Sequence, residues 1–250
     1  MHFGTEVDVE MPTLAAFVKR LRLRRAWTQR EFAQHAHLGI GTVQKLEQGD
    51  KVSVGDRALS ALADAVCDNE HEREHLRALG GRPGFALGGA ASAADMSALL
   101  DQLTSIPAAW VVDWGVAAAN DRYRRLMPGI AEAPSIAHWL FGDPRSRMTL
   151  PDWQTEAAYM VGILRHYYVA APSVGATDDT AVTARIVREL AARHPDFRRF
   201  WATGDVYVRR PESDRRVWTP ADATMTVWRE SLIPAASGWL AMCFPSGEES

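Results

Sequence analysis

A chain of 250 residues can hold one large domain or two small ones, and with 47% apolar residues it can bury a real core. The formal charge of −3 gives no whole-chain signature of a nucleic-acid binder, and two widely separated cysteines exclude a disulfide scaffold and fit buried thiols in a reducing cytoplasm. No apolar run approaches the roughly 18 residues of a membrane span and no signal-peptide core opens the chain, so a cytoplasmic protein with no membrane partner is expected.

Residues 1–12 read as a loose acidic lead-in. A helix over 13–25 follows, with Leu14, Phe17, Val18 and Leu21 on one face. Thr28 then caps a second helix, and Glu31 three residues on completes a capping box. Phe32, Ala33 and Ala36 form its apolar face, Leu38 plugs a corner, and Val43 and Leu46 mark a third helix. Gly39 can begin that third helix and Gly49 can end it in the left-handed conformation. Helices over 56–66 and 69–79 complete a five-helix unit, the last capped by Asn69 and read as a solvated polar helix.

Residues 81–95 are rich in Gly, Ala and Ser and read as a linker. Trp27 is the only tryptophan before it and eight lie after it, so residues 96–250 form a second domain with a bulkier core. There a short helix over 96–103 precedes strands at 109–113 and 115–119, joined at Asp113 and Trp114. Helices are expected from Asn120 to Leu126 and over 135–141, 152–170, 179–193 and 196–201. Segments 206–210, 216–218, 224–232 and 238–244 are β-rich. The fold class is α+β: an all-α five-helix unit over 1–80, then an antiparallel sheet covered by helices.

The second and third helices have the layout of a helix-turn-helix DNA reader, with Ile40, Gly41, Gln44 and Lys45 facing outward where a major groove would lie. Gln44 can pair with adenine, Lys45 with guanine, and Ile40 can meet a thymine methyl, whereas Gly41 only permits close approach. Thr42 lies on the same helix. Thr28 and Gln29 open the preceding helix, whose N-terminus favours phosphate, and Gln29 could instead brace a neighbouring reader. This thin set of readers implies help from DNA shape or from the spacing of two subunits. The stretch 19–30 carries six basic residues and no acid, which makes it either a phosphate-facing edge or a solvated helix face, and 64–74 is mostly acidic.

His71-Glu-Arg-Glu-His75 matches His-Glu-x-x-His, but a catalytic zinc needs a third ligand and a cleft. No hydrolase elbow, phosphate loop or dinucleotide fingerprint is present, so no enzyme, cofactor or metal is expected. The helix over 152–170 is apolar on more than one face, including Tyr159, Met160, Ile163 and Tyr167. It is either buried between sheet and helices or lines a ligand cavity. Arg165 within it could hold a carboxylate head or pair with an acid on the next helix.

The first part resembles the Xre/Cro-type helix-turn-helix family through Thr28-Gln29, the corner from Ala36 to Gly39 and Leu46-Glu47-Gln48-Gly49. The rest is similar to the MmyB-like ligand-binding domain through Pro107-Ala-Ala-Trp-Val-Val-Asp113 with Asn120, Trp139-Leu-Phe-Gly-Asp-Pro-Arg145, Leu150-Pro-Asp-Trp153, Leu164-Arg165 and His194-Pro-Asp-Phe-Arg-Arg-Phe-Trp201. The resemblance implies a PAS-like domain and a homodimer on a palindromic operator in double-stranded DNA. It also implies a small apolar, fatty-acid-like ligand and control of transcription at a bacterial nucleoid. It adds Trp110 and Asn120 to the expected ligand-binding set. The reader helix departs from the family pattern: Gly41-Thr-Val-Gln-Lys45 replaces an aromatic-rich stretch, and His37 and Gly39 stand where Gly and Ser are more usual. No operator sequence follows from the resemblance. The alternative reading is a DNA-binding regulator whose second domain only dimerises or docks a protein.

Overall fold

Capping chemistry sets the first three helices. In the computed structural model, which describes residues 12–49, 55–80, 93–169, 179–210, 214–219, 223–235 and 238–246, helix α1 spans Leu14–Arg24, and Thr13 Oγ1 accepts from the Ala16 amide at 3.1 Å. Helix α2 spans Gln29–His35 behind the expected capping box, with Thr28 Oγ1 accepting from the Glu31 amide at 3.2 Å and the Glu31 carboxylate accepting from the Thr28 amide at 2.7 Å. Helix α3, Ile40–Gln48, starts at Gly39 and stops at Gly49, whose φ of 78° is the left-handed cap expected there. His37, at φ 51°, takes the left-handed position of the turn between α2 and α3. Helices α4 (Asp56–Val66) and α5 (Glu70–Leu79) close the bundle. One core holds it together, including Phe17, Leu21, Phe32, Val43, Leu62 and Leu76.

Helix α5 is not the solvated helix that its charge suggests. Glu72, His75, Leu76 and Ala78 are buried. The Asn69 side chain caps α5 as expected, accepting from the Glu72 amide at 3.0 Å. The expected lead-in, apart from residue 12, lies outside the described residues, as do residues 81–92 of the expected linker.

Helix α6 spans Ala93–Gln102, and strands β1 (Ala108–Val112) and β2 (Gly115–Ala119) follow as a hairpin. Its two turn residues, Asp113 and Trp114, both have positive φ, at 49° and 69°, which suits the right-handed twist of a two-residue hairpin. Trp114 is held there by its indole N–H, which donates to Thr183 Oγ1 at 3.0 Å. Among the described residues, six α-helices follow β2: α7 (Asp121–Leu126), α8 (Ile136–Gly142), α9 (Pro144–Thr149), α10 (Trp153–Val169), α11 (Asp179–Arg193) and α12 (Pro195–Thr203). Strands β3 (Arg215–Thr219), β4 (Thr224–Ala235) and β5 (Gly238–Pro245) complete an antiparallel sheet of order β2-β1-β5-β4-β3. This is the expected α+β class, a helical unit followed by a sheet with helices packed on it.

Alternation along the strands gives the sheet two different faces. Ala109, Val217 and Cys243 enter a core shared with α7, α8, α10, α11 and α12. Ala108, Trp110 and Leu240 point the other way, against Met96 and Leu100 of α6. Burial pushes the Cys243 thiol, and the Cys67 thiol of the bundle, up to about 12.

Two further expectations need correction. Helix α9 stands where only a connection is expected: Pro144 at its first turn and Asp143, whose carboxylate accepts from the Arg145 amide at 2.8 Å, start a helix there. Residues 206–210 are not a strand. Side chains anchor the segment instead: Val206 in the bundle core, Tyr207 against α10, and Arg210 on Glu156 at 2.6 Å. Among the described residues no helix is long and apolar enough to cross a membrane.

Candidate nucleic-acid interface and ligand site

The stability of α3 comes from beneath it. Val43 and Leu46 are buried, and between them and the outer face sits Glu47, its side chain 4% exposed. Arg22 of α1 forks onto that carboxylate, Nε at 2.6 Å and Nη2 at 2.9 Å, and its Nη1 donates to the Trp27 carbonyl at 2.6 Å. Gln29 Nε2 donates to the same carboxylate at 2.9 Å. Burial pushes the Glu47 carboxyl up, but Arg22 and Gln29 outweigh it and hold the group below its usual range. A bidentate arginine fixes direction as well as distance, so α1, α2 and α3 are locked in one geometry.

On that frame Ile40, Gly41, Gln44 and Lys45 are exposed on one side of α3, and Thr42 is half-buried. A Cβ on Gly41 would meet nothing within 4 Å, so the backbone there lies open to close approach. Gly39 supplies no side-chain cap; the Thr42 amide donates to the Gly39 carbonyl at 2.9 Å, which leaves the Ile40 and Gly41 amides of the first turn of α3 for an outside acceptor. The other two candidates are committed internally. The Thr28 hydroxyl donates to Glu31 at 2.8 Å, and Gln29 braces Glu47, the second of the roles considered for it.

The acidic stretch neutralises part of the basic one, and acids elsewhere take two more of its arginines, Arg22 on Glu47 and Arg20 near Asp205. Arg24 pairs with Glu72 and with Asp68, Arg25 pairs with Asp68, and Arg20 lies 3.9 Å from Asp205. Lys19, Arg30 and Lys45 are exposed and make no ion pair with a described residue. Within the basic run and on α3, these three are the described cations left open to a phosphate.

The two histidines of the His-Glu-x-x-His stretch are turned inward. His75 is fully buried, its Nδ1 3.3 Å from Nδ1 of His166 on α10, and its ring meets Phe17 edge-on at 4.8 Å. His71 Nδ1 accepts from the Val208 amide at 3.4 Å. Arg165 and Arg20 add positive charge near His75, which disfavours a bound cation there. Among the described residues no group of three or more His, Cys, Asp or Glu is placed to hold a metal.

The seven expected ligand residues do not converge. Trp110 lies under α6, on the sheet face away from α10, with its indole nitrogen buried and without a partner among the described residues. Asn120 is a buried keystone: Oδ1 accepts from the Ala108 and Tyr123 amides at 3.1 and 3.0 Å, and Nδ2 donates to the Leu103 and Ile106 carbonyls at 2.7 Å each. Arg165 is also buried, donating to the carbonyls of Trp201 and Asp205 and lying 4.6 Å from the Trp201 ring centre; among the described side chains it pairs with no carboxylate on the next helix. Desolvation lowers its pKa to about 10. Tyr159, Met160, Ile163 and Tyr167 are half-buried on α10. Tyr159 meets Tyr207 edge-on at 5.0 Å, Tyr167 meets Trp114 at 5.4 Å, and Met160 packs on the main core.

Two features escape sequence reasoning. An open cleft of about 470 Å³ lies between the turn at Gly129 and α8–α9, lined by Glu132, His138, Trp139, Asp143 and Arg145. Under the sheet, Glu156 pairs with Arg210 and Arg215, and Arg215 also pairs with Glu230 at 3.1 Å. Only the block from Trp139 to Arg145 hints at the first. Nothing local announces the second, because its members come from α10, β3, β4 and the segment after α12.

Comparison with known families places residues 13–76 in a match to a helix-turn-helix domain. Residues 93–250 match the MmyB-like transcription regulator ligand binding domain, over more than half of the chain. No curated protein matches the chain.

Proposed function

The chain belongs to the family of MmyB-like transcription regulator ligand-binding domains, and from that premise we propose that it is a dimeric bacterial transcription regulator whose DNA affinity responds to a small apolar or amphiphilic molecule of fatty-acid type. Its work is binding rather than catalysis, carried out in the cytoplasm where the DNA lies. The observation that carries the reading is the exposed side of α3, held in a helix-turn-helix frame by the buried Arg22–Glu47–Gln29 cluster. Gln44 and Lys45 read base edges, Ile40 meets a thymine methyl, Gly41 allows close approach, and the amides at the start of α3 take a phosphate. Two readers from two subunits on a palindromic site supply the specificity that one thin reader lacks.

Selection of bound duplexes from a random pool tests this. The full chain should enrich one inverted-repeat motif, and Gln44→Ala or Lys45→Ala should weaken binding to it by about 1–3 kcal/mol for each base pair no longer read. Enrichment of no motif, or equal binding by both variants and the wild type, would contradict the reading.

The scatter of the seven ligand candidates favours keeping a second reading, in which the C-terminal domain only dimerises or docks a protein. Exposed Met225, Ile233 and Phe244, on the sheet face opposite α10, offer an apolar surface for such pairing. Solvent extraction of the purified protein separates the two readings, because a bound amphiphile leaves a mass in the extract and a dimerisation module leaves none.

A further inference from the structure

The segment after α12 is gripped from both sides. From the C-terminal domain, Arg165 donates to the carbonyls of Trp201 and Asp205, and Arg210 pairs with Glu156 on α10. Tyr207 lies where a Cβ on Gly162 would collide with it, so this one helical glycine admits the tyrosine ring. From the bundle side, Val206 is 5% exposed within the core of α1–α5. Arg20 donates to the Thr203 carbonyl at 3.4 Å, and its Cδ lies 2.7 Å from where a Cβ on Gly204 would be. Gly204 has φ 75°, a left-handed position that also favours glycine. His71 receives the Val208 amide, and His75 meets His166 beside it.

We infer that residues 204–210 form a strap that fastens the DNA-reading bundle to α10 and α12, and so carries the state of the C-terminal domain to the reader. The route is short and made of packed or hydrogen-bonded groups. Val206 and Arg20 act on α1, and two residues further along α1 Arg22 holds Glu47 of α3. The outer side of α3 stays exposed with the strap in place, so the fastened form can meet DNA. A strap of this kind supplies the two-site connection that ligand control needs, whereas a bundle tethered by a chain alone would read DNA independently of the domain behind it. The regulatory role rests on the proposed ligand-responsive function; the fastening itself does not.

The test uses the full chain with Val206→Asp and, separately, Tyr207→Ala, followed by small-angle X-ray scattering and amide hydrogen exchange. Both variants should show a larger maximum dimension, and amides of α5 should exchange at least about tenfold faster while the strands keep their protection. Scattering and α5 exchange identical to wild type would overturn the strap. If Val206→Asp loses the helical signal of the bundle, Tyr207→Ala decides, since that side chain lies outside the bundle core. On a selected operator, the effect of a fatty acid on affinity should shrink in the strapless variants. A wild type that binds no DNA would sink the regulator reading and leave the scattering result standing on its own.

Discussion

Replacing Glu47 with alanine is expected to destabilise the helical bundle by about 3–5 kcal/mol, because it leaves the Arg22 guanidinium buried beside nothing that neutralises it. The Arg22 side chain is 9% exposed, so it has little access to water in compensation. Gln29 loses its acceptor in the same step. For a unit of roughly 60–70 residues a loss of this size corresponds to roughly 15–30 °C in melting temperature. The double change Arg22→Met with Glu47→Leu removes both charges and should recover most of the stability, since a buried ion pair exchanged for packed apolar groups is often close to neutral. Differential scanning calorimetry of the full chain checks this. A Glu47→Ala bundle melting with the wild type would show that the pair contributes little. The prediction also bears on function, because the same carboxylate sets where Gln44 and Lys45 point.

Acid should loosen the contact between the bundle and α10 well before carboxylates begin to protonate. Burial lowers His75 to about 2 and His166 to about 4, with His166, Arg165 and Arg20 adding to the effect at His75 and His71 adding to it at His166. Both are neutral in the folded protein, while in the unfolded chain they take up a proton near pH 6.5. The unfolded state therefore binds more protons as pH falls. Stability is complete above about pH 6.5 and is lost as pH drops toward the folded values, by roughly 2–4 kcal/mol at pH 5 for the pair. Glu47, Glu72 and Glu156 are all held below their usual range, so their losses come only at lower pH, below about 4.5. The window from about 6.5 to 5 thus belongs to the histidines, with smaller shares from His71 and His194, which burial also lowers. Thermal melts at about pH 7.5 and pH 5 check it. The double variant His75→Leu, His166→Leu should lose much less over that interval, and a wild type whose melting is flat across it would contradict the reading.

What is legible in the sequence is what local chemistry dictates. The capping box at Thr28 and Glu31, the left-handed stop at Gly49 and the Asn69 and Asn120 caps span three or four residues, so spacing alone locates them. The strands at β1 and β2 and the turn between them are legible for the same reason. The charged residues of α1 and α5 mislead because their partners are far apart in sequence. Arg24 and Glu72 lie 48 positions apart, so a basic run and an acidic run look like two solvated faces rather than one interface. Residues 206–210 have strand-like composition, but tertiary anchors at Val206, Tyr207 and Arg210 override it. The ligand residues present a third difficulty. Trp110 and Tyr159 sit on different sides of the sheet, and only the pairing of β1 with β5 reveals which way Trp110 points.

The central claim is that DNA reading and ligand binding are joined in one chain, and linkage measures that directly. Fluorescence anisotropy of the full chain on its selected operator, titrated in the absence and presence of a series of saturated fatty acids, should give a Kd that changes by about fivefold or more with at least one of them. The same factor should appear as a change in that fatty acid's affinity when operator is added. A fatty acid that binds the protein yet leaves the operator Kd unchanged, or a protein that binds none of the series, would contradict it.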